Sequence, residues 1–182
     1  DMGYASYFLM IATITLYYFI WRYEKFEKVA FILLTSFFIY YVIFIFLPVA
    51  GPQYYYKAVG LDQIAHGVFP NIGDYFNNHQ DVLASPGYTD GIFYHLVEDA
   101  KNAGERPTAA FPSSHVGIST ILMIFAFKSN KKLWLFMLPF YLLLCMATVY
   151  IQAHYLIDAI AGFLSAFILY FVCKFIYEHI KH

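Results

Sequence analysis

Long apolar runs separated by short polar turns dominate this chain. Five of the runs are candidates for membrane-crossing helices, and they cover residues 5–21, 29–47, 109–127, 133–151 and 155–173. Each approaches the roughly 20 residues that an α-helix needs to cross the hydrocarbon core of a bilayer. The third run does so only when its polar front at residues 112–115 is included. The pattern predicts an all-α fold, a polytopic transmembrane helical bundle with five spans in this sequence.

The segment at residues 48–108 is the one long connection between the predicted spans. Pro48 and Pro52 end the helix before it, because proline removes a backbone donor and clashes with the preceding turn. Residues 71–90 have a loop composition, whereas residues 91–100 have helical spacing that suits a helix lying along the membrane interface. We therefore predict one domain over residues 1–182, in which this segment is a lid or an interfacial segment.

The composition supports a membrane protein. Hydrophobic residues make up 61% of the chain and charged residues 13%, whereas about a quarter of a soluble domain is charged. The net charge of −1 gives no indication of a nucleic-acid partner. The two cysteines, Cys145 and Cys173, each lie within a predicted span, so a disulfide framework is not expected.

The distribution of lysine and arginine predicts the orientation in the membrane. Eight basic residues lie on one side of the predicted spans: Arg22, Lys25, Lys28, Lys128, Lys131, Lys132, Lys174 and Lys181. Only Lys57, Lys101 and Arg106 lie on the other side, in the long segment. The positive-inside rule places the eight in the cytoplasm and the long segment on the extracytoplasmic (periplasmic or lumenal) side. The first span would then begin outside, so we expect a preceding helix and six spans in the full chain.

Two histidines lie at the extracytoplasmic ends of predicted spans. His154 and Asp158 are four residues apart and share one helix face, so Asp158 can orient one nitrogen of His154 and leave the other free. His115 opens another span, directly after Pro112-Ser113-Ser114. Placing an ionisable residue in a membrane helix costs free energy, and such residues are usually functional. We predict a catalytic site formed by His154, His115 and Asp158.

The residues around His115 are typical of a phosphate-binding pocket. Ser113 or Ser114 is a natural N-cap, and the free N–H groups at a helix start bind phosphate. Lys101 and Arg106 lie just upstream and supply positive charge. A histidine oriented by a carboxylate can attack phosphorus while a second histidine protonates the leaving oxygen. This chemistry needs no cofactor and no metal, and the histidines lack close metal-ligand spacing.

These motifs resemble the type 2 phosphatidic acid phosphatase superfamily, which also includes lipid headgroup transferases and vanadium haloperoxidases. Pro112-Ser113-Ser114-His115 is similar to the family motif P-S-G-H, and His154 with Asp158 matches the H-x3-D of a later motif. The resemblance implies that His154 is the phospho-accepting nucleophile, Asp158 its orienting partner and His115 the general acid. It also implies that Ser113 and the N–H of Ser114 hold phosphate oxygens.

Two departures from the family pattern are informative. Lys101 and Arg106 are separated by four residues, where the family motif K-x6-R-P has six. The phosphate-clamping arginine of the phosphatases is replaced by Thr148. Its absence resembles the inositol phosphorylceramide synthase (inositolphosphotransferase) branch. That resemblance implies transfer of a phospho-headgroup from a phospholipid substrate to a lipid alcohol acceptor of the ceramide or diacylglycerol type.

Other functions remain open on the sequence alone. A lipid phosphate phosphatase that hydrolyses phosphatidic acid or a related monoester would use the same two histidines. A non-catalytic transporter subunit is disfavoured, because the polar groups cluster at one membrane face rather than at mid-membrane depth. A haloperoxidase is disfavoured because those proteins are soluble and use the arginine that Thr148 replaces. His154 and Asp158 could also be a structural polar pair between helices.

Overall fold

The computed structural model describes residues 1–86 and 89–181, and within this part the chain is built from helices without a β-strand. The α-helices are α1 (Met2–Trp21), α2 (Tyr23–Phe46), α3 (Pro52–Val59), α4 (Leu61–Ala65), α5 (Ile92–Gly104), α6 (Ser114–Ser129), α7 (Lys131–Tyr150) and α8 (Leu156–Ile180), with a short 3-10 turn at Tyr75–Asn77. The predicted all-α helical bundle is confirmed.

Four helices, α1, α2, α7 and α8, are long and apolar enough to cross a membrane, which makes the chain an integral membrane protein. They confirm four of the five predicted spans. The fifth, predicted at residues 109–127, is a shorter apolar helix of 16 residues, α6. It begins at Ser114 because the Ser113 side chain caps its first turn by accepting a hydrogen bond from the Val116 N–H. Pro112, directly before this cap, disfavours an extension of the helix toward residue 109.

Helix α6 forms the centre of the bundle. Its residues from Val116 to Met123 are all buried, and it packs against α1, α2, α7 and α8. A side chain at Gly117 would collide with the ring of Tyr40 from α2, so glycine is needed where these two helices approach each other. The four surrounding helices carry most of the exposed apolar side chains, including Phe38 and Ile168, as expected for surfaces in contact with lipid.

The helix directions bring the two histidines to one end of the bundle, here called the histidine end. It contains the start of α1, the end of α2, the start of α6 and the turn between α7 and α8. The opposite end carries ion pairs between α2 and the end of α8: Lys28 with Glu178 at 2.6 Å, and Glu27 with Lys181 at 2.7 Å. Most of the basic residues used for the orientation prediction therefore lie away from the histidines.

The segment between α2 and α6 lies at the histidine end. A single parallel bridge joins Val49 to Ala109: the Val49 N–H donates to the Thr108 carbonyl at 3.1 Å, and the Ala110 N–H donates to the Val49 carbonyl at 3.0 Å. The helical spacing at residues 91–100 is found as α5, which packs on α1. Helix α5 buries Val97 and leaves the apolar side chains of Ile92 and Leu96 exposed. Its role as a lid or interfacial segment stays a prediction.

Candidate active site

His154 lies in the tight turn between α7 and α8. The turn is sharp because Gln152 adopts a positive φ of 61°, and the His154 N–H returns to the Thr148 carbonyl at 3.0 Å. The side chain of His154 is directed into the protein, where only 3% of the residue is exposed. The turn therefore places an imidazole ring beneath the end of the bundle rather than in solvent.

The two ring nitrogens of His154 have different surroundings. Nδ1 is 2.8 Å from the Ala110 carbonyl oxygen, and since a carbonyl only accepts, Nδ1 carries the proton. Nε2 is buried and has no hydrogen-bond partner in the part of the chain that the structure describes. Burial lowers the pKa of His154 to about 4, although the bond to Ala110 acts in the opposite direction. His154 is therefore a neutral imidazole whose Nε2 lone pair is available to attack an electrophile.

The sequence predicts that Asp158 orients His154 directly, but in the structure the two side chains are not hydrogen bonded. Its Oδ2 is 3.8 Å from His154 Nδ1, too far for a hydrogen bond, and accepts instead from the Tyr155 N–H at 2.8 Å. Asp158 occupies the third position of α8, from which an acidic side chain commonly returns to the helix start as a capping box. The Ala110 carbonyl orients His154, while Asp158 is close enough to act on the ring through its charge.

His115 lies in the first turn of α6 and faces His154. The centroids of the two imidazole rings are 5.8 Å apart. The rings of Tyr4 and Tyr7 from α1 pack on His115 at centroid distances of 4.6 and 4.7 Å, and the Tyr4 hydroxyl is 3.4 Å from His115 Nδ1. The structure thus brings together the two histidines that are 39 residues apart in the sequence.

The two serines before His115 have different positions. Ser113 is fully buried, and its hydroxyl is used to cap α6. A side chain at Gly162 of α8 would collide with the Ser113 carbonyl oxygen, so this glycine allows the start of α6 to lie directly against α8. Ser114, in contrast, lines a cavity beside His115. Of the two serines, Ser114 is the one placed to contact a bound group.

A cavity of about 770 Å³ lies at the histidine end. Its polar wall is formed by Lys101, Glu105, Arg106, Ser114, His115 and His154. Its apolar wall comes from α1 and α2 and includes Phe8, Tyr41 and Ile45, which are also exposed on the outer surface of the bundle. The cavity therefore opens sideways between α1 and α2, toward the surface that faces lipid.

The cationic residues of the cavity differ in their burial. Lys101 is buried and pairs with Glu98 at 3.0 Å, whereas Arg106 is exposed. Thr148, at the position of the family arginine, is buried and donates to the Cys145 carbonyl at 2.9 Å, so its side chain is engaged within α7. The positive charge of the cavity comes from the segment before α6.

Glu105 is a cavity residue that sequence reasoning missed. Burial raises the pKa of its carboxyl group, although the nearby charge of Lys101 partly opposes this. The Gln53 side chain, itself 1% exposed, donates to Glu105 at 3.4 Å. In the sequence, the one feature that could have identified Glu105 as a cavity residue is its position directly before Arg106. Within the described residues, His, Cys, Asp and Glu form no group of three arranged to hold a metal ion.

The fold and the cavity define an integral membrane protein with two facing histidines at the mouth of a helical bundle. A sequence model of the PAP2 superfamily matches residues 1–172, and the chain belongs to this superfamily. Its members are generally phosphatases or phosphotransferases, which supports a membrane enzyme of that type. No curated protein and no solved structure matches the chain. The superfamily resemblance is confirmed, and the inositol phosphorylceramide synthase branch stays a proposal.

Proposed function

We propose that this protein transfers a phospho-headgroup from a glycerophospholipid to a lipid alcohol through a phosphohistidine at His154, in the manner of an inositol phosphorylceramide synthase. The observation that carries the proposal is the state of His154. Its Nε2 is buried, unprotonated and without a partner among the described residues, and His154 lines a cavity that opens toward lipid. Burying a polar nitrogen without a hydrogen-bond partner costs free energy. The phosphorus atom of a substrate would give Nε2 an atom to bond to.

In the first step, His154 Nε2 attacks phosphorus and the bond from phosphorus to the diacylglycerol oxygen breaks. His115, in its protonated form, gives a proton to that oxygen, so the alcohol leaves neutral. The ring of His154, which keeps its proton on Nδ1, becomes positively charged. The carboxylate of Asp158, 3.8 Å from Nδ1, favours this charged state.

In the second step, the hydroxyl group of the acceptor lipid attacks the phosphohistidine and gives its proton to His115. The bond from phosphorus to Nε2 breaks, and His154 returns to its neutral form. Ser114, Lys101 and Arg106 line the same cavity and would bind the phosphate oxygens. The charge of Lys101 is partly offset by Glu98, which suits a phosphodiester with one negative charge better than a monoester with up to two.

The proposed location of the site is the extracytoplasmic face of the membrane. The argument is the positive-inside rule, since eight of the eleven lysines and arginines lie in the turns and tail away from the long segment. The lateral opening between α1 and α2 supports a lipid that reaches the site from the bilayer. The acceptor would be a lipid alcohol of the ceramide or diacylglycerol type.

Hydrolysis of a lipid phosphomonoester is the second candidate. Both Lys101 and Arg106 line the cavity, and two cations favour a more highly charged phosphate group. Water would then take the place of the lipid alcohol in the second step. Thr148 argues against this reaction, because its buried side chain supplies no third positive charge.

Product analysis by mass spectrometry on the purified enzyme in detergent distinguishes the candidates. Phosphatidic acid and phosphatidylinositol are offered separately, with and without ceramide. A new headgroup-bearing lipid that forms only when ceramide is present supports the transferase, whereas free phosphate from phosphatidic acid, independent of ceramide, identifies a phosphatase.

The matched variants are His154→Ala and His79→Ala. His79 is an exposed histidine that stacks on Tyr75 and lies outside the cavity. We expect no product from His154→Ala and unchanged product from His79→Ala. Full activity in His154→Ala would rule out the phosphohistidine intermediate for either reaction.

A further inference from the structure

Tyr7 is a buried residue of α1 that lines the cavity but has no role in the two-step reaction. Its ring packs on the ring of His115 at a centroid distance of 4.7 Å, and only 5% of the residue is exposed. A phenylalanine would pack on His115 in the same way. The hydroxyl group is therefore the part of Tyr7 that packing does not explain.

The hydroxyl of Tyr7 is an unused hydrogen-bond donor, because it makes no hydrogen bond within residues 1–86 and 89–181. In the same part of the chain, the fully enclosed side-chain atoms without a partner are Gln53 Oε1 and His154 Nε2. The Tyr7 hydroxyl is not one of them, so it is open to the cavity that the residue lines. A polar group that is left unpaired away from bulk water costs free energy. This hydroxyl is therefore available to a molecule bound in the cavity.

The other two tyrosines of the cavity differ from Tyr7. Tyr4 lies one turn earlier on the same face of α1, and its hydroxyl is 3.4 Å from His115 Nδ1. Tyr41 of α2 lies at the lateral opening and is 57% exposed, so molecules outside the cavity can reach its hydroxyl. Of the three, Tyr7 is the one whose free hydroxyl is confined to the cavity.

A substrate phosphate would supply an acceptor for this hydroxyl. In the proposed reaction the phosphorus atom lies between His154 Nε2 and the ring of His115, and the centroids of the two rings are 5.8 Å apart. Tyr7 packs on the second of these rings, so it belongs to the wall beside the phosphate. The nonbridging oxygens carry the negative charge of a phosphodiester, and hydrogen bonds to a charged acceptor are stronger than those between neutral groups.

We propose that the Tyr7 hydroxyl donates a hydrogen bond to a nonbridging oxygen of the substrate phosphate, which makes Tyr7 a catalytic residue of the transfer. This role rests on the proposed function, in which a phosphodiester binds between the two histidines. Tyr7 adds a neutral donor to a site without the family arginine, whose replacement, Thr148, donates within α7 instead. A neutral donor binds a phosphate oxygen without adding positive charge, which suits a group with a single negative charge.

The first measurement removes only the hydroxyl, with Tyr7→Phe. The matched control is Tyr54→Phe, because Tyr54 of α3 is 6% exposed, has no side-chain hydrogen bond among the described residues and does not line the cavity. Transfer from phosphatidylinositol to ceramide is followed for both variants. We expect Tyr7→Phe to lower kcat/KM by about tenfold to hundredfold, the range for a hydrogen bond to a charged group. Tyr54→Phe should match the wild type.

The second measurement tests contact with the phosphate itself. Sulfur is a weak hydrogen-bond acceptor, so replacing one nonbridging oxygen by sulfur weakens a hydrogen bond to that position. The phosphorothioate analogue of phosphatidylinositol has two diastereomers, Rp and Sp, which differ in the side of phosphorus that carries the sulfur. We expect the ratio of kcat/KM for the two diastereomers to change by about fivefold or more in Tyr7→Phe, because sulfur and phenylalanine then remove the same bond. Tyr54→Phe should keep the wild-type ratio.

An unchanged Rp/Sp ratio in Tyr7→Phe would overturn the contact with phosphate even if the variant were slow, because the loss would then come from packing on His115 or from another part of the lipid. Unchanged kcat/KM on phosphatidylinositol would overturn it as well. Both results leave the proposed function intact, provided that the wild type forms a phosphohistidine from phosphatidylinositol. If the wild type formed none, the proposed function would fail, and the role of Tyr7 would fail with it.

Discussion

Asp158 has two separable effects in this structure, and replacing it tests which one matters. The carboxylate caps α8 by accepting from the Tyr155 N–H at 2.8 Å, and it places a negative charge 3.8 Å from His154 Nδ1. Asp158→Asn keeps an oxygen that can accept the capping bond but removes the charge. Asp158→Ala removes both.

The expected magnitudes follow from these distances. Two unit charges about 4 Å apart interact by roughly 4 kcal/mol at an effective dielectric constant of 20, which suits a partly screened site. If the His154 ring becomes cationic as its Nε2 bonds to phosphorus, losing that interaction slows the step by about 10³-fold. The capping bond contributes about 1 kcal/mol to stability. A change of that size lowers the Tm of a chain of this length by about 2–4 °C.

The assay is single-turnover formation of phosphoenzyme, together with thermal unfolding followed by tryptophan fluorescence. We expect Asp158→Asn to lose about 10²- to 10³-fold in rate with little change in Tm, and Asp158→Ala to lose the rate and a few degrees of Tm. A rate within threefold of wild type in Asp158→Asn, with a lower Tm in Asp158→Ala, would show that Asp158 is only a helix cap.

Two further predictions concern the packing of α6 and the protonation of His154. Gly162→Ala places a methyl group against the Ser113 carbonyl oxygen, so we expect overpacking to cost about 1–3 kcal/mol and to lower Tm by several degrees. Gly104→Ala, where nothing lies within 4 Å, should not lower it. Because burial lowers the pKa of His154 to about 4, its ring stays mostly neutral at pH 5. The rate of acylation of His154 by diethyl pyrocarbonate should therefore fall less than about twofold between pH 7 and pH 5. A histidine with the ordinary pKa of about 6.5 would lose more than about tenfold of its acylation rate over the same range. Peptide mass spectrometry measures this, and a tenfold loss at His154 would show that the ring is not buried as described.

The features that the sequence predicts well are those with local signals. Four spans follow from the length of apolar runs, and the pairing of His115 with His154 follows from helix directions across the membrane. The N-cap predicted at Ser113 or Ser114 agrees with the start of α6 at Ser114, whereas the predicted span at residues 109–127 begins five residues before the helix.

The features that the sequence does not reveal depend on tertiary contacts of ordinary-looking groups. The orienting partner of His154 is the backbone carbonyl of Ala110, whose position depends on pairing with Val49, sixty-one residues earlier. Every residue has such a carbonyl, so no pattern singles it out. Glu105 looks like a solvated charge beside Arg106, and only tertiary contacts such as the hydrogen bond from Gln53 show that it is partly buried.

Under the proposed function, the size of the cavity has a consequence for which lipids the enzyme can distinguish. A volume of about 770 Å³ holds roughly 25 groups the size of a water molecule, enough for a phosphorylated headgroup and the glycerol or sphingoid atoms next to it. The long hydrocarbon tails of a substrate must then remain outside, in the bilayer beside α1 and α2. Selection would act on the polar end of the lipid, and species that differ only in acyl length or unsaturation should be turned over at similar rates.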